Sequence, residues 1–134
     1  MTPEAAAFLD KARECLAKPD GMIDRRPDVA GREAYLAALH AEQALIVERT
    51  GRVVKTHRGV QRELARLVRN APIVDPTLQA FLGRAYNFKA IADYQIGPGP
   101  AVTRELASEA IDNARPFVAW LRGLIEPGRP VPSP

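Results

Sequence analysis

The residues of this chain best suited to chemistry are cations. Arg49, Arg52, Lys55, Arg58, Arg62, Arg66 and Arg69 fall within positions 48–69, opposed only by Glu48 and Glu63. Seven positive charges against two negative leave that span at +5, whereas the whole 134-residue chain carries +3. The remainder is slightly acidic, so the positive charge is concentrated rather than spread. Arg58, Arg62, Arg66 and Arg69 follow helical spacing, and at about 100° per residue they share an arc of roughly 80°. Val60, Leu64, Leu67, Val68 and Ala71 fall on the opposite side. The pattern predicts an amphipathic helix with an arginine ridge. Like charges one turn apart repel by about 0.2–0.5 kcal/mol per pair. A phosphate or carboxylate offsets that cost, because the planar guanidinium grips it with two hydrogen bonds. The ridge therefore has two readings, a docking surface for an anion or acidic partner, or a solvated face with Glu63 as its counter-charge.

The chain has two histidines, His40 and His57. His57 stands between Lys55 and Arg58 at the start of the ridge helix, whose N-terminus adds its own positive end. Gly59 permits close approach there. Lys55, His57 and Arg58 thus form a cationic corner continuous with Arg62, Arg66 and Arg69, and together these are the candidate nucleotide- or RNA-binding residues. The structural alternative is that Thr56 caps the helix while His57 packs the turn. His40, mid-helix among apolar neighbours, reads as a hydrogen-bonded core or interface histidine.

Other chemistries lack their residues. No HExxH, paired-cysteine or EF-hand spacing occurs, so no metal site is expected. Gly97-Pro98-Gly99-Pro100 cannot cradle phosphate, because its prolines remove the backbone donors such a loop supplies. There is no Walker A run or dinucleotide fingerprint, and no hydrolase elbow surrounds Ser108 or Ser133. No cofactor is implied.

The elements that must position these residues read as five helices and no strands. The first spans about 3–18 and ends at Pro19-Asp20-Gly21. The second spans about 29–50, with Gly51 as its C′ residue. Ala34, Ala37, Ala38, Ala41 and Ala44 give it a small-residue face, and Tyr35, Leu39 and Ile46 a bulky one, as expected of the central helix. A tight connection leads to the ridge helix, about 57–70, capped by Thr56. Asp75-Pro76 starts a fourth helix reaching Tyr94. Residues 96–100 break the chain, and a last helix covers about 101–126, with Pro116 expected to kink it. Short connections imply an up-and-down bundle over 1–126. The tail 127–134 carries four prolines and is expected to be disordered.

At this length one domain is expected. Cys15 is the single cysteine, so no internal disulfide framework can form. Neither a secretory signal nor a membrane-spanning run is read, and a cytoplasmic protein is the expectation.

Three segments carry a family resemblance. They are Gly31-Arg-Glu-Ala-Tyr-Leu-Ala-Ala-Leu-His-Ala-Glu-Gln-Ala-Leu-Ile46, Lys55-Thr-His-Arg-Gly-Val60, and Arg84-Ala-Tyr-Asn-Phe-Lys-Ala-Ile-Ala-Asp-Tyr94. In this order and at these distances they resemble the small prokaryotic HEPN-domain proteins, over roughly residues 5–125. The resemblance implies an α-helical bundle, commonly a homodimer, often encoded beside a minimal nucleotidyltransferase as the toxin half of a toxin–antitoxin pair. Active members resemble metal-independent ribonucleases with an Arg-x4–6-His motif, in which histidine handles the 2′-hydroxyl proton and arginine stabilises the charge developing on phosphorus.

Here the chain departs from the family. After Arg84, four, five or six intervening positions lead to Lys89, Ala90 and Ile91; anchoring instead on Tyr94 places Ala92 at the histidine position. The usual base is missing. Arg84, Asp93 and Tyr94 remain as catalytic candidates, although Asp93 can pair with Lys89 one turn earlier. If the family's nucleotidyl acceptor carries over, Tyr94 is that acceptor. Arg84, Asn87, Ile91 and Tyr94 share one side of the fourth helix and make Asn87 a further ligand contact. Arg52 to His57 also spells Arg-x4-His, but it lies in the turn, and among fifteen arginines it reads as coincidence.

The leading expectation is a HEPN-like toxin-type protein that binds RNA or nucleotide and pairs with a nucleotidyltransferase. The alternatives are an active endoribonuclease, or a non-catalytic adaptor whose alanine face dimerises and whose ridge meets an acidic protein.

Overall fold

A computed structural model describes residues 1–17, 22–69 and 103–126. It contains α1 (Pro3–Ala17), α2 (Pro27–Thr50), α3 (His57–Val68) and α4 (Arg104–Ile125), with no strand among the described residues. The helix expected over 76–94, the break at 96–100 and the tail at 127–134 lie outside those residues.

The 24-residue α2 is the axis of the bundle. Its alanines Ala34, Ala37, Ala38, Ala41 and Ala44 are all 0–1% exposed. Small residues let neighbouring helices approach closely, and α1 and α4 answer in kind with Ala5, Ala12, Ala107, Ala110 and Ala114, all buried. Phe117, Leu121, Leu45 and Ile46 fill the space beside them, each worth about 1.5–3 kcal/mol of apolar burial. One sequence expectation is overturned. The alanine face is not a surface for self-association, because this chain's own helices already cover it.

Polar contacts fix the helix directions. The Thr2 backbone N–H donates to Glu48 Oε2 at 2.8 Å, and the Phe8 and His40 rings stack at 6.3 Å, so α1 runs antiparallel to α2. Arg104 pairs with Asp24 ahead of α2, while Arg49 Nη2 donates to the Leu124 carbonyl at 2.9 Å. These contacts link starts to starts and ends to ends, so α2 and α4 run the same way.

Helix boundaries follow local chemistry. α2 begins at Pro27, two residues before the expected start, because a first-turn proline has no needed N–H to lose. Arg26 makes no side-chain cap; its guanidinium instead grips Asp28 at 3.1 and 3.2 Å. At the other end Gly51 adopts φ 74° and donates to the Val47 carbonyl at 2.9 Å, the left-handed stop that glycine supplies cheaply. α4 is capped by Thr103, whose hydroxyl accepts from the Leu106 N–H at 3.1 Å, and it continues helical through Pro116.

Candidate nucleic-acid interface

α3 is shaped by its two faces. Val60 and Leu64 are buried, and Leu67 and Val68 are half-buried against the core. Arg58, Arg62, Arg66 and Arg69 are all exposed. At 1.5 Å per residue, the row from Arg58 to Arg69 extends about 16 Å along the surface. Among the described residues, no ion pair or hydrogen bond engages the side chains of Arg58, Arg62 or Arg69.

Arg66 differs. Its Nη2 and Nε lie 2.8 and 3.3 Å from Glu63 Oε2, and Arg52 Nη2 lies 3.9 Å from Glu63 Oε1. The Arg66 hydrogen bond, reinforced by the charges of Arg66, Arg52 and Arg62, holds the Glu63 carboxyl below the usual range against a smaller opposing effect of burial. One of the four ridge arginines is thus locally neutralised, and three are not.

The connection from α2 to α3 is not the tight turn that the sequence suggested. It runs back along α2, so that Val54 lies beside Gln43 and His57 beside Tyr35. Gln43 Nε2 donates to the Val54 carbonyl at 2.9 Å, and the Tyr35 hydroxyl lies 2.9 Å from His57 Nδ1. Both anchors are buried, Gln43 at 7% and Tyr35 at 4% exposure. If Nδ1 accepts from the hydroxyl, the ring proton resides on Nε2. These two contacts were invisible to periodicity, although Tyr35 and Gln43 sit within the quoted second-helix segment.

Thr56 caps α3 by accepting from the Gly59 N–H at 3.1 Å. A Cβ on Gly59 would stand 2.7 Å from Thr56 Oγ1 and 2.9 Å from Val54 Cγ1. Gly59 is therefore needed for the chain's own return segment, and the room expected there for a ligand is already taken by Thr56 and Val54. Lys55 is exposed beside it, so the corner still presents Lys55 and Arg58 to solvent.

The other histidine sits in the α1–α2 seam. His40 Nδ1 is 3.0 Å from Gln43 Oε1, and burial lowers its pKa against that bond. Glu42 is 3% exposed, and burial alone pushes its carboxyl up to about 8. Sequence reading did not single out Glu42; its clue was a carboxylate between Ala41 and Gln43 on the helix expected to be central.

The described residues hold no group of three His, Cys, Asp or Glu side chains able to bind a metal ion, and no described helix is long and apolar enough to cross a membrane. Arg84, Asn87, Asp93 and Tyr94 lie outside the described residues.

No curated protein matches the chain. The model of the HEPN domain matches residues 3–124, which takes in all four described helices except the last residue of α4. With the match spanning nearly its whole length, this chain belongs to the HEPN-domain family.

Proposed function

We infer that this HEPN-domain protein binds the phosphate groups of RNA or nucleotide along α3, with Lys55, His57, Arg58, Arg62, Arg66 and Arg69 as its contact residues. The observation that carries this reading is the row of guanidiniums at Arg58, Arg62 and Arg69, exposed and, among the described residues, in no ion pair or side-chain hydrogen bond. Their helix begins at a capped N-terminus, so its positive end adds to the same field. The rest of the chain is net negative, which confines the attraction to this face.

The direct test is fluorescence anisotropy of a labelled oligoribonucleotide against the wild type and Arg58→Glu/Arg62→Glu/Arg69→Glu. Wild-type binding is expected to weaken steeply with salt, and the triple variant to lose most of it at equal thermal stability. Binding that the triple variant retains would remove the ridge from the function.

As the finer reading we propose a homodimer acting as the toxin-type half of a pair with a minimal nucleotidyltransferase; its support is the resemblance of the three segments to small prokaryotic HEPN proteins. Co-purification with the product of an adjacent reading frame tests it, and an unrelated neighbour with no captured partner counts against it. Catalysis is a separate question carried by Arg84, Asp93 and Tyr94. RNA cleavage in EDTA that is lost in Arg84→Ala would assign Arg84 to a ribonuclease site, whereas no cleavage leaves a binding protein.

A further inference from the structure

Glu63 is the only acid between Arg49 and Arg69. It lies on the flank of α3, at the seam between the ridge and the connection, and its side chain is 19% exposed where Arg52 and Arg66 are 71% and 56% exposed. One carboxylate therefore sits between an arginine of the connection and an arginine of the helix. Its Oε2 takes both Arg66 contacts, at 2.8 and 3.3 Å, and its Oε1 faces Arg52 at 3.9 Å. Two cations from different elements converging on one oxyanion is the arrangement that a phosphate group also satisfies.

We propose that Glu63 is a resident stand-in for phosphate: Arg52 and Arg66 form a phosphate subsite at the edge of the ridge, and the ligand fills it by displacing the Glu63 carboxylate. This rests on the reading of α3 as a phosphate-binding surface and adds a built-in brake to it. In the free protein the brake holds two cations in an internal pair, while Arg58, Arg62 and Arg69 stay open for first contact. Ligand that reaches the subsite exchanges one anion for another on Arg52 and Arg66, and the displaced Glu63 carboxylate turns to solvent, a cost that the ligand must offset. The brake also sets which ligands engage fully. A strand with several phosphates can hold the open arginines and still compete for Arg52 and Arg66, whereas a mononucleotide must overcome the carboxylate without that help.

The experiment compares wild type, Glu63→Gln, Arg52→Gln/Arg66→Gln and the triple combination, with a labelled oligouridylate and, in parallel arms, UMP and inorganic phosphate. Glu63→Gln is expected to tighten oligouridylate binding about tenfold at low salt. It should also steepen the log–log salt dependence by about 0.7–1.4, the value for one or two further phosphate contacts on a single strand. In the Arg52→Gln/Arg66→Gln background the same change should give no more than about twofold, the effect of losing one nearby negative charge. UMP and phosphate are expected to gain measurable affinity only in Glu63→Gln. If wild type binds through the ridge but Glu63→Gln leaves affinity and salt slope unchanged, or gains equally in both backgrounds, the displacement idea is wrong while the ridge reading survives. If wild type and Arg58→Glu/Arg62→Glu/Arg69→Glu behave alike, the ridge reading fails and this inference fails with it.

Discussion

Two residues show how far local chemistry reaches in this chain. Glu42 is buried, and burial pushes its carboxyl from its ordinary 4.5 up to about 8. Below about 4.5 the group is protonated in both folded and unfolded chains. Between there and about 8 the unfolded chain releases a proton that the folded one keeps, so stability falls as pH rises and levels off above that window. Glu42→Gln, which imitates the protonated form, should match wild type in urea unfolding near pH 4 and exceed it by a few kcal/mol at pH 9. His40 acts in the opposite sense, since burial lowers its pKa from 6.5, and comparing both proteins at each pH cancels its effect. Gly59 is the second case. Alanine would gain about 1 kcal/mol in helix propensity, yet its Cβ would collide with Thr56 and Val54. Losing the cap costs about 1 kcal/mol, and the displaced return segment adds to that. Chemical denaturation of Gly59→Ala should therefore show a net loss of about 1–2 kcal/mol. The sequence marked Gly59 as a place of close approach; only the coordinates say that the approaching group is the protein itself.

At the scale of elements, the signals that were legible were periodic or terminal. The apolar stripe and arginine row of α3, the Gly51 stop and the Thr56 cap could all be read from spacing and residue type. What could not be read was the path between α2 and α3. Gly51 to Thr56 looks like a short turn, but its course depends on Gln43 and Tyr35, whose partners are separated from them by 11 and 22 residues. No local pattern encodes such pairings. α4 offers a test of a different rule. Pro116 is exposed and sits inside a continuous helix, where it removes one backbone donor and crowds the Asp112 carbonyl. Pro116→Ala should restore that bond and raise stability by about 2 kcal/mol, the intrinsic gain of about 3 less the greater freedom of the unfolded chain. Thermal or urea unfolding checks it; a loss would mean that the backbone Pro116 imposes is required for the burial of Ala114 and Phe117.

Across the whole molecule, the all-helical class and the family were both within reach of the sequence, because a buried alanine-rich axis and three ordered segments are properties of the chain itself. The assignment of surfaces was less reliable. A face of small residues invites a neighbouring helix, and nothing in the spacing distinguishes a helix of the same chain from one of a second copy. Here α1 and α4 occupy it. Charge placement also has a consequence at this scale. Arg13 and Arg122 are exposed but lie on α1 and α4, paired with Asp10 and Glu126. Neutralising both to glutamine should change oligoribonucleotide affinity by no more than about twofold at moderate salt, because screening limits their reach to about 10 Å. A larger loss in the anisotropy assay would show that binding wraps beyond α3.

The aim of the arginine row is not decided by the arginines. Because the return segment is tethered at Val54 and His57, the azimuth of α3 is set jointly by its own Val60 and Leu64 in the core and by an amide and a phenol on another helix, all hidden from solvent. Replacing either one loosens the start of α3 with every cation still in place, so the bearing of the row depends on side chains that carry no charge.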